Sequence, residues 1–153
     1  MMNREVEIIL VEDDEGHVSL VQRNLRRAGI LNTIHCFQDG ADVLDFLFRK
    51  GKPPHRKSGV PYLLVLDIRM PKVDGVEVLR ELKQDPELRK IPIIMLTTTD
   101  DPREVERCHA LGCSHYITKP IDYDTFINAI QQLGLFLMVV EVPKINGEYA
   151  AST

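Results

Sequence analysis

The sequence predicts an α/β fold of five βα units, with one parallel sheet covered by helices on both faces. Three observations predict it. Short apolar runs alternate with stretches whose apolar residues recur at three- and four-residue spacing. The runs are apolar throughout, which marks strands buried on both faces, as in a parallel sheet. The 153 residues, 44% hydrophobic and 27% charged, suit a single globular unit with a substantial core.

The elements follow in order. Val6 to Val11 forms strand 1, closed by Glu12-Asp13-Asp14. Val18, Val21, Leu25 and Ala28 set helix 1 from about residue 15 to Gly29, a natural C-cap. Thr33 to Phe37 reads as strand 2, with Asp39-Gly40 as its turn. Val43, Leu44, Leu47 and Phe48 mark helix 2, ending near Gly51. A loop holding Arg49, Lys50, Lys52, Arg56 and Lys57 leads to strand 3, Tyr62 to Leu66, which runs straight into Asp67. Asp74-Gly75 starts helix 3, and Asp85-Pro86 stops it. Ile91 to Leu96 is strand 4, followed by helix 4, capped by Thr99 or Asp101 and ended by Gly112. Cys108 packs on the inner side of that helix. Tyr116 to Thr118 is strand 5, and helix 5 runs from about Asp122 to Leu137. Val139 to Val142 reads as extended.

Composition narrows the function. Nineteen basic against 23 acidic residues give a net charge of −4, without the basic excess that nucleic-acid binding shows. Cys36, Cys108 and Cys113 include no CxxC pair and read as reduced thiols. The N-terminus lacks the apolar core of a signal peptide. The apolar run from Leu133 to Val140 is too short to span a bilayer. The expectation is a cytoplasmic protein that binds neither membrane nor nucleic acid.

In an open parallel sheet, sites form beyond the carboxyl ends of the strands, where strand order reverses. Those ends carry Glu12 and Asp13 after strand 1, Asp67 after strand 3, Thr97-Thr98-Thr99 after strand 4 and Lys119-Pro120 after strand 5. In a flavodoxin-like (βα)5 sheet of order 2-1-3-4-5, strands 1 and 3 are neighbours and three carboxylates meet. Like charges ~4 Å apart repel by about 4 kcal/mol at an effective dielectric near 20. A hard divalent cation and the Lys119 ammonium would offset that repulsion. A metal, a cationic donor, a hydroxyl and a central carboxylate are the parts for phosphoryl transfer onto Asp67. Asp14 reads as an N-cap or surface acid rather than a ligand, and none of the five histidines shows a metal-ligand spacing.

The segments "ILVEDD", "LLVLDIRMPKVDG", "PIIMLTTT" and "YITKP" together resemble the receiver domain of two-component response regulators, over about residues 5 to 135. The resemblance implies phosphorylation of Asp67 by the phosphohistidine of a sensor histidine kinase. It implies Mg²⁺ held by Glu12 (through water), Asp13, Asp67 and the backbone carbonyl of Arg69. It implies that Thr97 is the switch hydroxyl, Thr98 the small residue beside it, Lys119 the phosphoryl-binding lysine with a cis bond to Pro120, and Tyr116 the aromatic that turns inward on activation. Arg69 and Thr99 stand where the family tunes phosphoryl lifetime; neither readily orients a hydrolytic water, so the phosphoryl group is expected to be long-lived. Glu12 departs from the commoner aspartate by one methylene.

The insertion before strand 3, the segment Asp85 to Pro92 and the apolar extension "FLMVVEVP" are similar to stand-alone response regulators of phytochrome-type histidine kinases. The expected layout is a receiver over residues 5–138 and a C-terminal extension over 139–153, with no output domain. Output then goes by protein contact or through a histidine phosphotransferase. The apolar tail suggests a homodimer through helix 4, strand 5, helix 5 and the tail itself. The protein is expected not to be an enzyme beyond its own phosphorylation and slow autodephosphorylation. An aspartyl-phosphate phosphatase would need an acid where Arg69 stands. The alternative is an interaction module that keeps the fold without being phosphorylated.

Overall fold

The computed structural model describes residues 5–120 and 122–146. In chain order the elements are β1 (Glu7–Val11), α1 (Glu15–Arg27), β2 (Ile34–Phe37), α2 (Gly40–Phe48), β3 (Val60–Leu66), α3 (Gly75–Lys83), β4 (Ile93–Thr97), α4 (Pro102–Leu111), β5 (His115–Thr118), α5 (Tyr123–Val139) and β6 (Lys144–Ile145), with a 3-10 turn at Leu88–Lys90. The first five strands are parallel in the order β2-β1-β3-β4-β5, as the flavodoxin-like expectation requires.

Strand alternation divides the core in two. Ile9, Val11, Leu64, Leu66, Ile93 and Met95 pack with residues of α2, α3 and α4, including Val43, Phe46, Leu79 and Cys108. Their neighbours Ile8, Leu10, Leu63, Val65, Ile94 and Leu96 pack with residues of α1 and α5, including Val21, Leu25, Phe126 and Ile130. The strands are therefore apolar on both faces because both faces carry helices. Gly134 lets α5 lie close on α1, since a Cβ there would come within 2.9 Å of the Ala28 Cβ.

Each long helix begins on an aspartate whose carboxylate accepts from first-turn amides: Asp14, Asp39, Asp74, Asp101 and Asp122. Asp39-Gly40 is thus the start of α2 rather than a separate turn. Helix α2 ends earlier than Gly51, at Phe48, because Arg49 turns left-handed (φ 58°). Helix α4 is capped by Asp101, not Thr99.

Val139 departs from the extended reading, while Val140 has the extended backbone expected of it (φ −73°, ψ 139°). Val139 is the last residue of α5, whose stripe Phe126, Ile130, Leu133 and Leu137 stays at helical spacing and stays buried. Val140, Val142 and Met138 pack on the same core face. Beyond them β6 pairs antiparallel with β3, Ile145 opposite Val60, and Ile145 is fully buried. Residues 147–153 of the expected extension lie outside the described residues. The basic loop is partly structural. Arg56 is buried and its Nε donates to the Leu47 carbonyl at 2.9 Å, while Arg49 Nε donates to the Arg56 carbonyl at 3.3 Å.

Cys108 lies on the inner face of α4 and is fully buried. Burial first, and then the neighbouring Cys113, pushes its thiol from 9.0 up to about 11. The fold holds this thiol neutral, so its contribution to stability is complete below pH 9 and is lost as pH climbs through 11. The urea midpoint of the wild type is expected to fall across that window. Cys108→Ala should show a shallower fall from its own lower starting point; parallel slopes in urea titrations would contradict this.

Candidate functional site

Sheet register assembles the site. Val11 pairs with Leu66, so the next residues, Glu12 and Asp67, emerge side by side at the carboxyl ends of β1 and β3. Their amides are held by neighbouring strands: Asp67 N donates to Val11 O at 3.1 Å and Glu12 N to Phe37 O at 3.0 Å. Leu66 pairs with Met95, which sets Thr97 one residue further along β4 than the position beside Asp67. Thr97 pairs with Thr118, which brings Lys119 to the same edge, its amide donating to Thr97 O at 2.6 Å.

Glu12, Asp13 and Asp67 each place one carboxylate oxygen within 4.8 Å of the others. Glu12, Asp67, Thr97 and Lys119 are all buried, and Asp13 is exposed. The Lys119 ammonium donates to Glu12 Oε1 and, at 3.2 Å, to Asp67 Oδ2. Burial pushes the Glu12 carboxyl up to about 7, against the hydrogen bond from Lys119, and the Asp67 charge pushes the same way as burial. Two buried carboxylates beside a third, with a single ammonium between them, form a donor set that a hard oxygen-seeking divalent cation fits.

Asp67 Oδ1 accepts from the Arg69 amide at 3.3 Å. The Arg69 side chain reaches across to Thr99, Nε to Oγ1 at 3.1 Å, so the two residues expected to govern phosphoryl lifetime touch each other. Thr97 Oγ1 accepts from the Thr99 amide at 3.4 Å. Tyr116 is half-buried, and its hydroxyl donates to the Thr99 carbonyl at 2.5 Å. Burial, with smaller help from the nearby Cys108 and Glu104, raises that phenol to about 12. Among the described residues the cis peptide bond joins Pro53 to Pro54, not Lys119 to Pro120 as the resemblance implied.

Sequence reasoning assigned His17 no role, yet it lies at the site. Its Nδ1 is 3.1 Å from Lys119 Nζ and 3.6 Å from Glu12 Oε1. The available signal was its position in the first turn of α1, directly after the strand that delivers Glu12.

The family model for the response regulator receiver domain matches residues 8–131. The chain belongs to the response regulator receiver domain family. This receiver is 34% identical to the response regulator Rcp1 of Synechocystis sp., over 89% of the chain and 92% of Rcp1. Its fold matches a receiver domain from Rhodospirillum rubrum with TM-score 0.86 and 45% identity, over 92% of this chain and 99% of that one. It matches the Mn²⁺-bound form of Rcp1 with TM-score 0.80 and 32% identity, over 90% and 98%. The phosphorylated cyanobacterial phytochrome response regulator RcpA matches with TM-score 0.81 and 28% identity, over 90% and 97%.

The receiver's close packing at Asp67 depends on a glycine. A Cβ on Gly75 would fall 2.1 Å from the Asp67 carbonyl oxygen and 2.8 Å from the Ile68 Cα. The Gly75 amide also donates to Ile68 O at 2.7 Å, so α3 starts directly against the loop that carries the acid. Gly75→Ala should therefore lower stability by about 1–3 kcal/mol in urea unfolding. An unchanged midpoint would contradict the geometry.

Proposed function

We propose that the protein accepts a phosphoryl group on Asp67 from the phosphohistidine of a sensor histidine kinase. The observation that carries this reading is the convergence of Asp67, Glu12, Asp13, Thr97 and Lys119 at one strand-end edge by sheet register alone. The likeness to the phytochrome response regulator RcpA favours a kinase of phytochrome type.

A carboxylate oxygen of Asp67 attacks phosphorus. The bond from phosphorus to the imidazole nitrogen breaks, and its electron pair stays on that nitrogen. Attack is possible because Asp67 is held by a backbone amide at one oxygen and by Lys119 at the other. Glu12, Asp13, Asp67 and the Arg69 carbonyl would hold Mg²⁺, which when bound would supply positive charge to the transferring oxygens. Lys119 exchanges its contact with Asp67 for a phosphoryl oxygen, and the Thr97 hydroxyl donates to another. Thr97 and Tyr116 both contact Thr99, so a shift of Thr97 biases the α4–β5 surface between two states. Arg69 and Thr99 bring no acid or amide side chain to hydrolysis, and the phosphoryl group is long-lived.

The receiver body covers residues 5–138 and the extension 139–153. Tyr123, Leu135 and Val139 remain exposed on α5, which supports a homodimer through α4, β5 and α5. Output passes by protein contact or onward to a histidine phosphotransferase. No helix among the described residues is long and apolar enough to cross a membrane, and the cytoplasm is the proposed location.

Intact-mass spectrometry after incubation with acetyl phosphate tests the chemistry. The wild type should gain one phosphoryl group only when Mg²⁺ is present, and Asp67→Asn should gain none. A folded wild type that stays unmodified with Mg²⁺ would overturn the proposal in favour of an unphosphorylated interaction module.

A further inference from the structure

An ammonium has three N–H donors and no acceptor, and a buried one needs a partner for each. Lys119 is 3% exposed. Three acceptors surround its Nζ: Glu12 Oε1, Asp67 Oδ2 at 3.2 Å and His17 Nδ1 at 3.1 Å. Two of them are carboxylates that also belong to the cluster suited to a cation. His17 is the member of the set that is not a carboxylate. To accept at Nδ1 its ring carries the proton on Nε2, which lies 3.9 Å from Asp14 Oδ2. The ring is also braced from α5, edge-on to Phe126 at a centroid distance of 5.2 Å and an angle of 76°.

We propose that His17 is a positioning residue for Lys119: its Nδ1 takes one ammonium proton and keeps the end of the flexible lysine stem beside Asp67. The inference rests on the receiver reading above. Of the three contacts, the one to Asp67 Oδ2 must be exchanged when a phosphoryl group arrives. The contact to His17 requires no such exchange, since it lies on the α1 side of the cluster. It limits Lys119 to a short swing from carboxylate oxygen to phosphoryl oxygen. Without that acceptor a buried N–H is left unpaired, and the stem relaxes toward Glu12 or solvent, away from the reacting atoms.

Two substitutions separate this role from packing. His17→Phe keeps a ring against Phe126 and removes the acceptor. His17→Asn loses the ring and keeps an oxygen at the Nδ1 position. Phosphorylation by acetyl phosphate with Mg²⁺ is followed by intact mass over time, beside wild type and Asp67→Asn, with urea midpoints to confirm folding. His17→Phe should be slowed roughly tenfold or more, because small misplacements of a charge-stabilising group cost large factors in rate. His17→Asn should stay within about threefold of wild type, an acceptor of similar reach being retained. A wild type that takes up phosphate, with His17→Phe at its rate or His17→Asn as slow as His17→Phe, overturns the inference and leaves the receiver reading standing. A wild type that takes up none overturns both.

Discussion

Lys119 and the carboxylates of Glu12 and Asp67 form one buried ionic group, and the upper end of the molecule is arranged around it. A buried cation or carboxylate alone costs several kcal/mol, and each is tolerable because the other is present in hydrogen-bonding geometry. The balance is incomplete: one ammonium faces two buried carboxylates, with Asp13 next to them. That surplus of negative charge makes the cluster a fit for a hard divalent cation. Burial first, with the Asp67 charge adding to it, holds Glu12 above the usual carboxylate range.

The fold supplies this group by register. Four neighbouring strands deliver it: Glu12, Asp67 and Lys119 come one residue past the ends of β1, β3 and β5, and Thr97 is the last residue of β4. The same end of the sheet holds five capping aspartates, each with its carboxylate on helix amides. Those five are committed to the backbone. Glu12, Asp13 and Asp67 cap no helix and converge instead. Asp67 accepts from the Arg69 amide and leaves its second oxygen toward Lys119. The contacts from Thr97 and Tyr116 onto Thr99 then extend the group toward the α4–β5 surface.

Much of this was legible in the sequence because parallel strands leave a strong mark. The apolar runs of strands 1, 3 and 4 marked the centre of the sheet, and the residues at the ends of strands 1, 3, 4 and 5 gave the site. Less legible was what depends on contacts distant in sequence. His17 has no spacing signal, since its partner Lys119 is supplied by the far end of the sheet and its ring partner Phe126 by α5. The antiparallel pairing of Lys144–Ile145 with the start of β3 left no alternation long enough to read. In the sequence Arg56 is one of five basic residues in the loop before strand 3, whereas in the fold its guanidinium tucks under the loop and closes the carboxyl end of α2. Val139 prolongs α5 because the apolar stripe beneath it continues, which outweighs the strand preference of a valine run.

The most direct measurement traps the acyl phosphate chemically. Borohydride reduces an aspartyl phosphate to homoserine, and peptide mapping then locates the modified residue. After treatment with acetyl phosphate and Mg²⁺, homoserine is expected at position 67 and at no other aspartate. Homoserine at Asp13, phosphate retained on His17, or an unmodified Asp67 in a labelled protein would contradict it.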